Sequence, residues 1–266
     1  MQKHLLTLDV GNTAIKAGLF EQSTFEELFR IPTDPKRLRV AVFQKYANLP
    51  EEVLADLEVA FVSVVPQVNT ALQTVIMEWI GKEAHHLTPD LPSPLKMAYH
   101  TPKTLGADRL AGAIGGWTKF GNSGQGLLVI DAGTAINYEV VSSDTQYWGG
   151  AIAPGVDLML KALARGTAQL PQVEPMWPDR AVGRSTKECL QAGVVFMLAD
   201  SVSGMIRRVS WELSEPLTVV STGGWGHLLK AELPEVSFFH PHLVHEGIRV
   251  WLEHLNAAAT GLKVVQ

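Results

Sequence analysis

The strongest constraint on this chain is a strand that runs into an acid and a glycine turn, and is written twice. The first copy is Leu5-Leu6-Thr7-Leu8-Asp9-Val10-Gly11-Asn12-Thr13, and the second is Leu127-Leu128-Val129-Ile130-Asp131-Ala132-Gly133-Thr134. The two aspartates are 122 residues apart in a chain of 266. Chance turns seldom repeat with matching apolar strands before them. The repeat predicts two related halves with one nucleotide between them, each half offering a glycine turn to phosphate.

The residues between the repeats fit that plan. Residues 15–20 and 25–31 read as further strands after the first turn, and 35–47 as a helix opened by Pro35. The continuous apolar run 59–65 reads as a strand covered on both faces. A helix follows over 66–80. Four prolines, Pro89, Pro92, Pro94 and Pro102, make 85–103 mostly loop or extended chain. A helix then carries Leu110, Ala113, Ile114 and Trp117 on one face. The breaker cluster at 121–126 (Gly121, Asn122, Ser123, Gly124, Gln125, Gly126) sets the expected boundary, giving domains 1–122 and 123–266. In the second half, 136–141 and 146–153 read as strands, 154–165 as a helix, 167–183 as a surface loop and 185–211 as the longest helix. Residues 217–221 form a strand, followed by helices from 226 and over 243–258. Strands first, then alternating helices and strands, predict an α/β sandwich with a mixed sheet in each half. With 46% hydrophobic and 18% charged residues, the chain can bury such cores.

The chemistry follows from the turns. Glycine lets a backbone approach phosphate and present its amide N–H groups. Asn12 and Thr13 add donors and Lys16 adds charge. Asp9 cannot bind phosphate directly and is better suited to a cation or its waters. Taken singly, Asp9 to Thr13 is also an ordinary tight turn; the second copy favours phosphate. Thr222-Gly223-Gly224 is a third glycine turn after an apolar strand, with room for a flat base. There is no Walker-type lysine loop, no Gly-x-Gly-x-x-Gly between strand and helix, and no zincin or hydrolase-elbow motif. Asp108 is the best candidate for a general base, with Arg109 beside it to hold an anionic group. The same aspartate also suits the first turn of a helix through the helix dipole. Thr186 can be a helix cap, and Cys189 reads as buried packing.

Several classes are disfavoured. A net charge of −5 without a basic run argues against nucleic acid. No apolar run approaches a membrane span, and Met1-Gln2-Lys3-His4 leads straight into a strand without a signal peptide. A single cysteine permits no internal disulfide and fits a cytoplasmic protein. His85-His86 reads as surface rather than metal ligands.

In order and spacing these motifs resemble those of the type III pantothenate kinases, which belong to the superfamily of acetate kinase, sugar kinases, heat-shock chaperones and actin. The resemblance covers nearly the whole chain. It rests on Asp9-Val10-Gly11-Asn12-Thr13, on Tyr99 and Pro102 ahead of Gly106-Ala107-Asp108-Arg109, and on Asp131-Ala132-Gly133-Thr134-Ala135. Gly149 to Gly155, Thr167 to Pro171, Ser185-Thr186 with Gly193, and Thr222-Gly223-Gly224 also match. The resemblance implies two ribonuclease H-like (actin-like ATPase) domains with mixed sheets facing a central nucleotide cleft. It implies ATP-dependent phosphorylation of pantothenate, the first step of coenzyme A biosynthesis. Asp9, Val10, Gly11, Asn12, Thr13, Ala14, Ile15, Lys16 and Thr134 would bind ATP, and Asp108 would be the base. Tyr99, Gly106, Ala107, Asp108, Arg109 and Thr186 would contact pantothenate. Asp131 would help hold a monovalent cation, K⁺ or NH₄⁺, required beside Mg²⁺. A homodimer with the substrate site at its interface is also implied. Asn137 and Glu139 stand where the family commonly has threonine and aspartate, a departure that bears on cation geometry. Other expectations for such a fold are a kinase for another small hydroxyl compound and a non-catalytic regulator; intact Asp9, Asp108 and Asp131 favour catalysis.

Overall fold

The computed structural model of the chain describes residues 4–260, so the lead Met1 to Lys3 lies outside it. The chain divides into two compact units, residues 1–118 with 243–266, and residues 119–242.

In the first unit, β1 (His4–Val10), β2 (Ala14–Glu21) and β3 (Thr24–Pro32) form an antiparallel meander. Next come α1 (Val40–Ala47), α2 (Glu51–Asp56), β4 (Leu57–Ser63), α3 (Pro66–Ile80), β5 (His85–His86), β6 (Lys96–Met97) and α4 (Ala107–Phe120). The sheet order is β3-β2-β1-β4-β5, with β4 parallel to both β1 and β5. Every residue of β1 is buried because both faces of the strand are covered. Leu6, Leu8 and Val10 enter a core with Phe43 of α1 and Leu72 and Ile76 of α3. Thr7 and Asp9 point to the opposite face by the two-residue period of a strand.

The second unit repeats this plan with β7 (Gly126–Ala132), β8 (Ala135–Val141), β9 (Gln146–Pro154), α5 (Val156–Gly166), α6 (Thr186–Leu213), β10 (Leu217–Thr222), α7 (Gly226–Glu232) and β11 (Phe238–Phe239). Its own strands run β9-β8-β7-β10-β11, the same order as β3-β2-β1-β4-β5. Leu128, Ile130, Tyr138 and Val140 pack under Val195, Leu198 and Val202 of α6. Among the described residues α6 alone is long and apolar enough to cross a membrane, and half of its most apolar window is buried within the protein. This differs from the expectation of no such stretch: its apolar residues serve the core.

The last helix, α8 (Leu243–Ala259), belongs with the first unit although the sequence assigns it to the second half. Its His245 bonds Thr7 of β1, and Trp251 Nε1 donates to Pro92 O at 2.7 Å, so its partners lie over 150 positions earlier. The expected helix over 35–47 is broken. Asp34 caps a 3-10 turn at Pro35–Arg37, Leu38 is extended and buried, and α1 starts only at Val40. The sequence reading missed α2, which is six residues long and fully buries none of them; only Val53 and Leu54 pack, half-buried, against the core. Cys189 is exposed rather than buried, on the first turn of α6.

Candidate functional site

In the first unit, Asp9 is the penultimate residue of β1 and stands opposite Lys16 in the antiparallel register. Lys16 Nζ donates to Asp9 Oδ2 at 2.8 Å, and Asp9 is only 5% exposed. The lysine therefore lies along the sheet surface beside the acid. Between them the turn closes by Gly11 N donating to Ala14 O at 3.1 Å. Thr33, at the end of β3, pins it from behind: its hydroxyl donates to Gly11 O at 2.6 Å and its amide to Thr13 O at 3.2 Å. Asn12 and Thr13 are exposed at the tip. Val10, Ala14 and Ile15 are buried, so only their backbone can face a ligand.

The substrate motif is brought to the same strand end. Val64 N donates to Val10 O at 3.1 Å, and Gly106 packs near Val64. A Cβ on Gly106 would lie 2.6 Å from Asp108 Oδ1, so glycine leaves room for that carboxylate. Ala107 begins α4, and Asp108 and Arg109 follow in its first turn. Asp108 Oδ1 accepts from Arg109 N at 2.8 Å. Even so, the Asp108 pKa is raised from 3.8 to about 6. Burial is the main cause and the negative Asp9 the second; the Arg109 amide and guanidinium and the Lys16 ammonium pull the other way. A first-turn aspartate serving only the helix dipole would be held acidic. In this one burial and Asp9 outweigh the opposing groups, so the carboxylate holds a proton more tightly than a free one does. Tyr99 is half-buried on the loop between β6 and the 3-10 turn Pro102–Thr104.

In the second unit, Asp131 occupies the equivalent penultimate position of β7, but its partner across the rung is Asn137. This turn is one residue shorter than the first, so the position equivalent to Lys16 holds a neutral amide. Gly133 N donates to Ala135 O at 3.0 Å, and Gly155 N to Thr134 O at 3.0 Å. A Cβ on Gly155 would overlap the Gly133 carbonyl. Gly223 has φ +79°, and a Cβ there would overlap Asp131 Oδ1. Trp225 N donates to Ala132 O at 3.0 Å. Three glycines thus crowd the Asp131 turn, while a Cβ on Gly224 would meet only open space. Glu139 sits two rungs behind on the same face, 1% exposed, and accepts from the Tyr147 hydroxyl at 2.6 Å. Its longer stem is used inside the sheet. Thr134 is exposed at the tip of the turn. Thr186, also exposed, opens α6; the capping residue is Ser185, whose hydroxyl accepts from Glu188 N at 3.3 Å.

His85 and His86 form an edge strand. His85 pairs with Glu58 at 2.7 Å, and that hydrogen bond raises its pKa. The His86 ring stacks on Phe61 with centroids 4.4 Å apart, and burial lowers its pKa. Among the described residues no three His, Cys, Asp or Glu side chains cluster to hold a metal. The sequence reading missed Thr33 and Val64, which act through tertiary contacts and carry no local motif.

Solved structures of the same fold include MreB5 of Spiroplasma citri bound to ADP, with a TM-score of 0.53 and 10% identity over 97% of this chain and 98% of that one. The ethanolamine utilization protein EutJ from Carboxydothermus hydrogenoformans gives 0.50 and 13% over 93% and 89%. These likenesses establish an actin-like fold. Curated relatives include type III pantothenate kinase 1 of Symbiobacterium thermophilum, 33% identical over 94% of this chain and 96% of that protein. The type III pantothenate kinase of Roseiflexus sp. is 32% identical over 94% and 98%. The family model for type III pantothenate kinase matches residues 5–208, which include both aspartate turns and the Asp108 motif, and the chain belongs to that family.

Proposed function

We propose that this chain transfers the γ-phosphoryl group of ATP to the primary hydroxyl of pantothenate, giving 4′-phosphopantothenate. The observation that carries the reading is Asp108, a carboxyl at a helix start whose pKa is raised to about 6, with Asp9 and Lys16 among the charges that act on it. A base for an alcohol must be ionised at working pH yet basic enough to take a proton as the bond forms. Arg109 supplies a fixed cation for the pantothenate carboxylate, with Tyr99, Gly106, Ala107 and Thr186 as further substrate contacts. The turn from Asp9 to Lys16 offers backbone N–H groups, the Asn12 and Thr13 side chains and one ammonium to phosphate, and Thr134 offers a second hydroxyl. Transfer is in line, with Asp108 orienting the hydroxyl and accepting its proton.

Magnesium suits this donor set without an all-protein cage, because Mg²⁺ takes one or two carboxylates plus substrate phosphates. Asp9 and Asp131, each at a strand end beside a glycine turn, are the carboxylates for it and for a monovalent cation, Asp131 being the ligand for K⁺ or NH₄⁺. Bound cations would neutralise charge on the transferring group. We further propose a cytoplasmic homodimer that completes the pantothenate site at its interface.

The test is phosphorylation of pantothenate by the purified protein with ATP and Mg²⁺, with and without K⁺. Turnover dependent on all four components is expected. A preference for a sugar or acetate over pantothenate, or no turnover with K⁺ present, would refute the reading. Light scattering at the mass of one chain would remove the dimer.

A further inference from the structure

The helix that carries Asp108 is seated from behind. At Gly115, about two turns after Asp108, α4 crosses α8 backbone to backbone. A Cβ on Gly115 would overlap the Leu243 carbonyl and lie 2.9 Å from Gly247 N. The contact is reciprocal, since a Cβ on Gly247 would overlap the Ala111 carbonyl. Gly112 is on the same helix but different: its Cβ would meet only Val244 Cγ2, at 3.9 Å. So the absence of a side chain is required at Gly115 and Gly247 and merely tolerated at Gly112.

The other side of α8 is fixed to the strand that bears Asp9. His245 Nδ1 lies 2.8 Å from Thr7 Oγ1, and the Thr7 hydroxyl donates its only hydrogen to Gly18 O at 3.1 Å. Nδ1 is then the donor to the Thr7 oxygen, which places a proton on that nitrogen. The Phe25 ring lies 5.1 Å from the His245 ring, and the imidazole is 4% exposed. Thr7 is two residues before Asp9 on the same strand face. One closed path of contacts therefore joins the two acids: Asp9 to Thr7 along β1, Thr7 to His245, along α8 to Gly247, across to α4, and along α4 to Asp108.

We propose that Gly115 and Gly247 are positioning residues for phosphoryl transfer, their backbone crossing setting how Asp108 stands over the Asp9 turn. The proposal rests on Asp108 being the base. The physical reason is stiffness. A methyl group driven into a carbonyl cannot be relieved by a rotamer change, so the helices part, and α4 carries the displacement two turns along to Asp108. A misplacement near 1 Å costs on the order of 100-fold in rate. The ATP-facing turn between β1 and β2 lies outside the crossing and is left in place.

The experiment compares Gly112→Ala, Gly115→Ala, Gly247→Ala and the Gly115/Gly247 double variant in kcat, in KM for ATP and in thermal midpoint. Gly112→Ala should stay within about 2-fold of wild type in kcat, because its methyl makes an ordinary contact. Gly115→Ala and Gly247→Ala should each lose roughly 10- to 100-fold in kcat with KM for ATP nearly unchanged. The double variant should lose far less than the product of the singles, because both part the same pair of helices. Equal kcat in Gly115→Ala and Gly112→Ala overturns the proposal, as does a loss confined to KM for ATP or one that vanishes per folded molecule. Should the alanine variants not fold, His245→Ala and His245→Asn test the same path. His245→Ala should lower kcat and His245→Asn, which keeps a donor near Nδ1, should restore it; unchanged kcat in His245→Ala overturns the proposal. Wild-type turnover in Asp108→Asn would instead refute the base assignment, whatever the glycine variants do.

Discussion

Replacing Asp108 by asparagine should end turnover and make the protein more stable at neutral pH. Asparagine is nearly isosteric and never ionises. The wild-type carboxyl ionises in the unfolded chain near 3.8 and in the folded protein only near 6. Between these values the folded state holds the proton more tightly, so Asp108 contributes nothing adverse below about pH 4. It becomes a growing burden as pH rises to 6 and a constant one above. The shift is about two units at about 1.4 kcal/mol each, and the carboxyl keeps some solvent, so the burden is about 2–3 kcal/mol. For a chain of this size that corresponds to roughly 4–10 °C in thermal midpoint. The assay is thermal or denaturant unfolding of both proteins from pH 4 to pH 8. The two curves should coincide at pH 4 and separate through pH 5 and 6, with the variant above. A pH-independent difference, or a variant less stable than wild type at pH 7, would refute the account of Asp108 as a buried acid set against Asp9.

Three further outcomes follow from the same geometry. The acid limb of kcat should fall near pH 6, and Lys16→Met should move it upward by removing a cation that favours ionised Asp108; a pH–rate profile reads both. Gly223→Ala combines a φ of +79° with overlap of Asp131, so it should cost at least about 1 kcal/mol and weaken binding of a non-hydrolysable ATP analogue, measured by calorimetry. Thr33→Val removes the hydroxyl that holds Gly11 O and should raise KM for ATP several-fold at nearly constant kcat, with about 1 kcal/mol of stability lost.

The turns were legible because they are local. A strand, an acid and a glycine occupy nine consecutive residues, and their recurrence exposed the duplicated sheets later seen in matching order. Elements whose identity depends on distant partners were not legible. α8 has the apolar period of a helix, but nothing in its sequence says that His245 will meet Thr7. α2 is six residues long and packs only Val53 and Leu54, half-buried, against the core, too short a pattern for periodicity to announce it. Leu38 ends one helical turn by entering the core, an outcome that neighbouring side chains decide. Cys189 looked like packing by residue type, but its place beside a cap turned it outward. At the site, residue types pointed to Asp108, while its raised pKa required knowing that Asp9 and the covering helices approach it. The shift of register that puts Asn137 opposite Asp131 follows from a turn one residue shorter, visible in the pairing and not in the motif.

The return of α8 also dictates an order of events during synthesis. Residues 119–242 form an uninterrupted unit and can close as soon as they leave the ribosome. The earlier-made first unit cannot: the helix that covers Thr7 on β1 comes from residues 243–259, made after residues 119–242. The half made first is therefore completed last. Hydrogen exchange on ribosome-bound chains stalled before residue 243 should find β7 and β10 protected and β1 and β4 open. Chains ending before residue 243 should present an open face of β1 and bind a probe of exposed apolar surface. For this protein α8 is the closing stitch of the unit that β1 begins, and a ribosome stalled before residue 243 leaves Thr7 without its cover.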